Sequence, residues 1–569
     1  MSSQTVERAL NTEVKSWQRL AAEKRNTRHR RYPRMDAHKP PSKETLNVIE
    51  FPETCGLLSD REIEITNTGG TWSAVDVTTA FSKRAVIAHQ LVEIPLRFVI
   101  ESLQRAAELD EHLRRTGKVV GPLHGLPISL KDQINIKGLE STIGYISYIG
   151  RYAASNSVLA DILESCGAVL YVKTNVPQTL MWVETYNHIF GRTLNPYNHS
   201  LTSGGSSGGE GALIALKGSP LGVGSDIAGS IRVPAAFNGL YALCPSYGRI
   251  PYAGCVNALE GQDSVLSSLG PLCNSLGGIR NFMKSVLSEK PWLKDPLAMK
   301  KPWNEEEYRL ADHGDGKYLC FAFMWHDEFI LPHPPVMRAL EQTKQALLSA
   351  GHQVIDWKPH KHAEIGETLW AICGAGAAQD FSMATILSGE PVISAMDPAL
   401  DDLNLLAIDI PEDRPLPPAL SAFELWQEQH KMRELRQEYL DYWNASIALT
   451  GTGRPVDAII SPCAPFVAPP HGKNNIPPSY TMIWNALNYT TLVCPTGLFV
   501  DPALDVKKPP HEFFSDLDEA AYDFYEPAKF AGAPISIQVI GRTSEEEAVT
   551  AMGEIVDLAL HRKVPPAKL

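Results

Sequence analysis

The sequence lacks the features that mark several large classes of protein. It has no run of about 18 apolar residues, the length of a membrane-spanning helix, and its N-terminus lacks the apolar stretch of a secretory signal. Its nine cysteines are widely scattered without a Cys-x-x-Cys pair, so the sequence predicts neither a disulfide framework nor a zinc site. A reducing compartment is the simplest interpretation. No motif implies a metal or an organic cofactor.

Basic residues are also few relative to acidic ones. Lysine and arginine together number 52 against 65 aspartates and glutamates, which gives a formal net charge of −13 at pH 7. The electrostatic footprint of a nucleic-acid-binding protein is basic. We therefore expect no nucleic-acid partner.

What the sequence does contain is typical of a large globular protein. Hydrophobic residues make up 44% and charged residues 21% of its 569 residues, enough to bury a large core. Strand-like segments alternate with helical ones, an order typical of an α/β layer structure. Ser544 and Glu547 predict a capping box at the start of a terminal helix. The pattern predicts one helix over 96–115, capped by Gly117, and another over 336–350. It predicts buried strands over 168–173, 221–223, 456–460 and 535–540, and a strand-like segment over 352–357.

The most informative segment is 202–237. It holds two glycine-rich turns, one carrying Ser206 and Ser207 and the other Ser230, and each runs into a segment that begins like a helix. Glycine allows tight or left-handed turns and lets a ligand approach the backbone closely. A helix N-terminus adds unpaired N–H groups and a positive dipole end, which suit an anion or a developing oxyanion. Two such turns indicate a hydrolytic nucleophile and a helper.

Five ordered motifs resemble the amidase signature family, serine hydrolases of C–N bonds. They are HGLPISLKD, TNVPQT, GGSSGGEGALIA, GSDIAGSIRVPAAFNGLYAL and the C-terminal PISIQVIGRTSEEEA. The likeness covers most of 90–285 and 450–569, and it is greatest to fungal acetamidase-type enzymes and the fatty acid amide hydrolase branch. It implies an α/β fold, a single large domain over 91–569 in which helices surround a central twisted mixed β-sheet. We expect 1–90 to form a helical extension packed on this core and 285–480 to carry a variable substrate pocket.

The resemblance implies a Ser-Ser-Lys triad in which Ser230 is the nucleophile, Ser206 the bridging serine and Lys131 the lysine. This assignment agrees with the chemistry. A serine hydroxyl becomes a nucleophile only when a base takes its proton, and lysine is such a base only when burial lowers its pKa from about 10.4. The bridging hydroxyl accepts one hydrogen bond and donates another, so it can relay a proton. The resemblance places the oxyanion hole at the backbone N–H groups of Ile227, Ala228, Gly229 and Ser230.

Four further residues are predicted to lie near this site. Leu180 and Met181 follow the TNVPQT motif and are candidates for the substrate pocket, with core packing as the alternative. Asp226 and Arg232 flank the nucleophile, and we expect them to brace its turn structurally. Nothing in the sequence places four tryptophans that are further pocket candidates, namely Trp182, Trp325, Trp370 and Trp484.

Two positions depart from the family pattern. Ala228 stands where the family usually has glycine, in a turn whose backbone favours positive φ, so backbone strain or a narrower site is expected there. Cys244 stands where relatives generally carry a basic residue. That exchange puts a local salt link in doubt and leaves the chemistry intact.

These observations predict an amidase that cleaves small to medium carboxylic amides through an acyl-enzyme and releases ammonia or an amine. A carbamate, anilide or ester hydrolase and a fatty acid amide hydrolase are alternatives with the same triad. A glutamine-amidase subunit of a tRNA amidotransferase is disfavoured, because SGGEGALI stands where such relatives read SGGSAA. The resemblance to this family favours a homodimer. We expect a cytoplasmic protein, and the C-terminal Ala567-Lys568-Leu569, a variant of the peroxisomal address, makes peroxisomal import the alternative.

Overall fold

The computed structural model describes residues 17–24, 72–92, 97–98, 101–398, 418–474 and 477–561. The C-terminal address at 567–569, Cys55 and most of the predicted extension over 1–90 lie outside these ranges. Inside them, residues 17–24 and 74–91 are helical. Among the described helices, none has both the length and the apolar character that crossing a bilayer requires.

One mixed sheet of eleven strands organises the fold. Numbered along the chain, the strands are β1 (Arg97–Phe98), β2 (Pro127–Lys131), β3 (Val169–Thr174), β4 (Tyr186–Asn187), β5 (Gly191–Arg192), β6 (Leu221–Asp226), β7 (Tyr241–Cys244), β8 (Ser268–Cys273), β9 (Cys320–Phe323), β10 (Gln353–Asp356), β11 (Ala458–Pro462), β12 (Thr491–Phe499) and β13 (Pro534–Ile540). Their order across the sheet is β1-β3-β2-β6-β8-β7-β12-β13-β11-β9-β10, and β4 and β5 form a separate ribbon. The predicted α/β fold around a central mixed sheet is confirmed.

Helices cover this sheet. They are α1 (Ala74–Leu91), α2 (Ser102–Thr116), α3 (Val158–Ser165), α4 (Gly208–Ala215), α5 (Arg232–Phe237), α6 (Leu276–Ser288), α7 (Glu305–Tyr308), α8 (Pro334–Ser349), α9 (His362–Gly374), α10 (Gln379–Ile386), α11 (Ala422–Ala445), α12 (Ile447–Thr450), α13 (Ser479–Leu487), α14 (Asp516–Phe524) and α15 (Glu546–His561). Short 3₁₀ turns span Ile146–Tyr148, Pro291–Leu293, Ala311–Gly316 and Pro527–Phe530.

Both faces of the sheet are buried. Neighbouring residues of a strand point to opposite faces, and on β11 the side chain of Ile460 packs in one apolar cluster with residues of α8 and α15. The preceding residue, Ile459, packs in a second cluster with residues of α9, α11 and α13. Burial of both faces explains why the strands are read from the sequence as short continuous apolar runs.

The candidate site lies at the carboxyl ends of three adjacent strands. Strands β3, β2 and β6 are neighbours and run parallel, so their carboxyl ends meet at one edge of the sheet. They end at Thr174, Lys131 and Asp226 respectively. The predicted lysine and the turn that carries Ser230 are therefore brought to the same edge by topology.

Two local predictions need correction. The helix predicted over 96–115 begins only at Ser102, because residues 97–98 pair with β3 as an edge strand, although Gly117 caps it at a φ of 66°. The capping box is wrong. Ser544 has a φ of 65°, whereas an N-cap residue is normally extended, and the Glu547 carboxylate binds Arg249 at 2.8 Å.

Candidate active site

Lys131 and Ser206 meet at the carboxyl edge of the sheet. Lys131 ends β2, and its Nζ lies 2.8 Å from Oγ of Ser206, in the turn before α4. Both side chains are buried, with residue exposures of 0% and 1%. The peptide bond between Gly205 and Ser206 is cis. Two residues 75 positions apart in the sequence are thus in hydrogen-bond contact.

A second hydroxyl, which sequence reasoning missed, also contacts the amine. Ser225 lies on β6, and its Oγ is 2.7 Å from Nζ of Lys131. The same hydroxyl donates to Oε1 of Gln133 at 2.6 Å. Ser225 stands inside a motif used for the resemblance, but a serine within a strand gives no chemical signal of its own.

The electrostatic environment favours a neutral amine at Lys131. Burial lowers the pKa of Lys131 to about 7, because desolvation disfavours the ammonium form. Nearby acidic groups act in the opposite direction, namely Asp226, Glu210, Cys255 and Asp132. A sizeable fraction of the amine is therefore unprotonated near neutral pH.

Ser230 lies in the loop between β6 and α5 and borders a cavity. Its residue exposure is 8%, higher than that of the other two candidate residues. The backbone N–H of Ser207 donates to the carbonyl of Ser230 at 3.1 Å, which ties the two serine turns together. Ser230 is thus the candidate that a substrate in the cavity can reach.

Asp226 and Arg232 form a buried pair beneath this loop. Arg232 Nη2 lies 2.8 Å from Oδ1 of Asp226, and the carboxylate also accepts the backbone N–H of Gly229 at 2.7 Å and of Ile231 at 3.0 Å. Burial alone would raise the pKa of Asp226, but the charge and hydrogen bonds of Arg232 lower it to about 2. A second guanidinium nitrogen donates to the carbonyl of Thr481 on α13 at 2.8 Å. These contacts fit a brace for the turn.

The backbone of the turn offers free donors. Gly229 N–H is engaged by Asp226, whereas the N–H groups of Ile227, Ala228 and Ser230 make no hydrogen bond within the described part of the chain. Positive φ falls on Gly229, at 138°, and Ala228 has no positive φ. The strain expected at Ala228 is therefore absent, because the turn places its unusual conformation one residue later.

We expect the stability of the protein to depend on the positive φ of Gly229. Gly229→Ala is expected to lower the free energy of unfolding by about 1–3 kcal/mol, because a side chain at this φ is strained. The new Cβ would also lie 2.3 Å from Oγ1 of Thr481. Urea denaturation measures the change. The control Ala228→Gly, one residue earlier, is expected to change stability by only about 0.5–1 kcal/mol. Equal stabilities of the two variants would contradict the described turn.

A cavity of about 220 Å³ opens beside Ser230. The predicted pocket residues Leu180 and Met181 both line it, and so do Trp182 and Trp370. Of the other two tryptophans, Trp484 is fully buried in the core and Trp325 borders a different cavity. The remaining lining residues are Val183, Ile227, Ala228, Asn474, Pro477 and Pro478.

Cys244 is buried beneath the site. Burial raises the pKa of its thiol far above the ordinary value, with a further contribution from Asp226, so the thiol stays protonated and inert. In the described part of the chain, no cluster of three or more histidine, cysteine, aspartate or glutamate side chains could hold a metal ion.

Comparison with known proteins gives consistent matches. A sequence model described as Amidase matches residues 76–550. An acetamidase of Aspergillus oryzae is 42% identical over 95% of this chain and 98% of its own, and an acetamidase of Emericella nidulans is 40% identical over 97% and 100%. A solved structure of fatty acid amide hydrolase superposes with a TM-score of 0.80 at 31% identity, covering 97% of this chain and 95% of its own.

Proposed function

This protein belongs to the amidase family and is an enzyme that hydrolyses amide C–N bonds, and we propose that it does so through a Ser230–Ser206–Lys131 triad. The observation that carries the proposal is the buried contact of 2.8 Å between Nζ of Lys131 and Oγ of Ser206. A neutral amine there accepts the proton of Ser206, whose oxygen in turn takes the proton of Ser230. The Ser230 alkoxide that forms attacks the amide carbonyl.

The free backbone N–H groups of the turn stabilise the oxyanion that follows. In this proposal the donors are Ile227, Ala228 and Ser230, and Gly229 contributes less because its N–H already binds Asp226. One donor of this kind is typically worth about 3–4 kcal/mol in the barrier. The relay then runs backward and protonates the leaving nitrogen, which departs as ammonia or an amine. Water hydrolyses the acyl-enzyme by the same relay.

The size of the cavity supports small to medium amides as substrates. Its volume of about 220 Å³ lies below the roughly 300–1,000 Å³ of sites for drug-sized ligands. Aromatic and aliphatic side chains dominate its lining, which fits a short neutral acyl group. The similarity to two fungal acetamidases points the same way.

Fatty acid amide hydrolysis is a second candidate. It is favoured by the TM-score of 0.80 with a structure named fatty acid amide hydrolase. The small cavity beside Ser230 counts against a long acyl chain. Carbamates, anilides and activated esters require only the same triad, and a carbamate is therefore included in the same test.

A panel of amides tests these proposed substrate classes. Acetamide, butyramide, hexanamide, benzamide, oleamide and ethyl carbamate are each supplied, and release of ammonia is followed. We expect the highest kcat/KM among the amides of two to six carbons. A maximum at oleamide or at ethyl carbamate would keep the triad but overturn the proposed substrate class.

We expect Trp370 to limit the length of the acyl group that the cavity accepts. It lies in the cavity wall and is 37% exposed. Trp370→Ala should raise the ratio of kcat/KM for hexanamide over butyramide about tenfold, because two more methylenes are buried at about 0.8 kcal/mol each. The control Trp426→Ala changes an exposed tryptophan of α11 that does not line the cavity. An unchanged ratio in Trp370→Ala would show that this side chain does not limit acyl length.

We also propose three arrangements that rest on the sequence. Residues 91–569 form the amidase domain and 1–90 an extension packed on it, with the 285–480 region contributing to the pocket. The protein forms a homodimer. It is cytoplasmic, and import into peroxisomes through residues 567–569 is the alternative, which fluorescence microscopy of the chain with and without those three residues distinguishes.

A further inference from the structure

Glu210 is a buried carboxyl group that the proposed relay does not use. It lies in the first turn of α4 and is 0% exposed. Its Oε2 accepts the hydroxyl of Ser129 at 2.5 Å, and its Oε1 accepts the hydroxyl of Thr174 at 2.7 Å. Within the described part of the chain these two neutral hydroxyls are its hydrogen-bond donors, and burying a carboxylate in this way is costly unless a positive charge lies nearby. The cation whose charge acts on it is Lys131.

The two residues whose hydroxyls bind Glu210 lie beside Lys131, one on the same strand and one on the neighbouring strand. Ser129 and Lys131 are two residues apart on β2, so their side chains share one face of the sheet. Thr174 is the partner of Lys131 in the register between β2 and β3. The carboxylate is thus tied to the lysine's own strand and to the neighbouring strand.

The third strand provides the space for this carboxylate. Gly222 on β6 is the register partner of Ser129. A Cβ at Gly222 would lie 1.9 Å from Oε2 of Glu210 and 2.5 Å from Oγ of Ser129, so no side chain fits there. The recess is therefore formed by three strands and α4 together.

Other titratable groups also act on Lys131 from the elements around it. They are Asp226 at the end of β6, Asp132 directly after β2, and Cys255 in the loop after β7. Asp226 acts most strongly among the acidic groups, but Arg232 lies 2.8 Å away and offsets its charge.

The two remaining groups contribute less than Glu210. Burial raises the pKa of Cys255 to about 12, so its thiol is uncharged near neutral pH. The Asp132 carboxylate is bound by the backbone N–H of Ile143 at 2.7 Å and acts least on Lys131 among the groups named. Glu210 is thus a buried carboxyl group whose charge is stabilised by the hydroxyls of Ser129 and Thr174 and, to a smaller extent, by the charge of Lys131.

Building on the proposed relay, we propose that Glu210 is a positioning residue that ties β2 to β3 beside Lys131 and keeps the amine of Lys131 basic enough to take the proton of Ser206. Burial raises the pKa of Glu210 to about 7, close to that of Lys131, so both groups change protonation over the same pH range. Loss of the carboxylate charge removes an electrostatic attraction that favours the ammonium form of Lys131. The lysine then becomes a weaker base.

The variant Glu210→Gln tests this role through the pH dependence of kcat/KM for butyramide. The amide side chain keeps the size and loses the charge, so the pKa of Lys131 falls. The midpoint of the acidic limb, which reports the free enzyme, should move to lower pH by about one unit, and the plateau rate should fall. The matched control is Glu390→Gln, a buried carboxyl with a pKa raised to about 7 that binds Gln178 and Ser388. Its midpoint should match that of the wild type.

A second variant covers the case in which Glu210→Gln does not fold, as judged by circular dichroism. Ser129→Ala removes one hydrogen bond to the carboxylate and should move the midpoint in the same direction by a smaller amount. An unchanged midpoint in the folded variants overturns the proposal, and so does a lowered plateau without a shift, because that marks a merely structural role. Failure of the relay itself looks different, since the wild type would then show no acidic limb that depends on Lys131.

Discussion

Ser230→Ala is expected to lower kcat on small amides by a factor on the order of 10⁴ to 10⁶, because it removes the proposed nucleophile. The side chain borders the cavity, and the backbone N–H at this position survives the substitution. Binding and the remaining oxyanion donors are retained, so a residual rate above the uncatalysed reaction is expected. Release of ammonia from butyramide measures the loss.

The neighbouring serine provides the control for this variant. Ser207→Ala keeps the backbone N–H that donates to the Ser230 carbonyl at 3.1 Å, and it removes a hydroxyl that lies 3.4 Å from the carbonyl of Ser225. We expect it to retain activity within about tenfold of the wild type, the loss that corresponds to about 1.4 kcal/mol. A Ser230→Ala enzyme that is as active as Ser207→Ala would contradict the assignment of the nucleophile.

Lys131→Met should have the second-largest effect, a loss of about 10² to 10⁴ in kcat/KM, the usual contribution of general acid–base catalysis. The wild type should lose activity as the pH falls through about 7, because protonation of Lys131 removes the lone pair that accepts the relayed proton. Above that pH the amine is neutral and the rate reaches a plateau. In Lys131→Met this acidic limb should disappear.

Lys131→Arg separates charge from basicity. A guanidinium remains protonated in proteins, so this variant restores a cation but cannot accept the proton. It should be as inactive as Lys131→Met over the whole pH range. Recovery of activity in Lys131→Arg would mean that the position needs a positive charge, and it would overturn the role of a neutral base.

The fold and the principal contact were accessible from the sequence for different reasons. Apolar runs bounded by turns predict buried strands, and those at 168–173 and 535–540 lie within a residue of β3 and β13. The contact between Lys131 and Ser206 joins residues far apart in the chain, and no local pattern predicts it. It was expected only because ordered motifs resemble a family.

Tertiary features of the site lay beyond the sequence. Trp370, Asn474 and Pro478 line the cavity and lie within 285–480, but the sequence does not single them out, because that wall is formed by segments distant in the chain. The sequence does not indicate Ser225, because its contact with Lys131 follows from the position of β6 next to β2.

The capping-box pattern failed for a related reason. The Glu547 carboxylate binds the buried guanidinium of Arg249 at 2.8 Å, and this tertiary contact takes the place of a bond to the start of its own helix. Local rules apply where a side chain has only local partners, and here a distant partner is available.

Trapping the acyl-enzyme tests the central claim most directly. The wild type is mixed with p-nitrophenyl butyrate, quenched with acid during the first turnovers and digested, and the acylated peptide is identified by mass spectrometry. The proposed mechanism predicts a butyryl group on Ser230 in the wild type and none at that position in Ser230→Ala. A butyryl group on a different residue of the wild type, turning over at the catalytic rate, would contradict it.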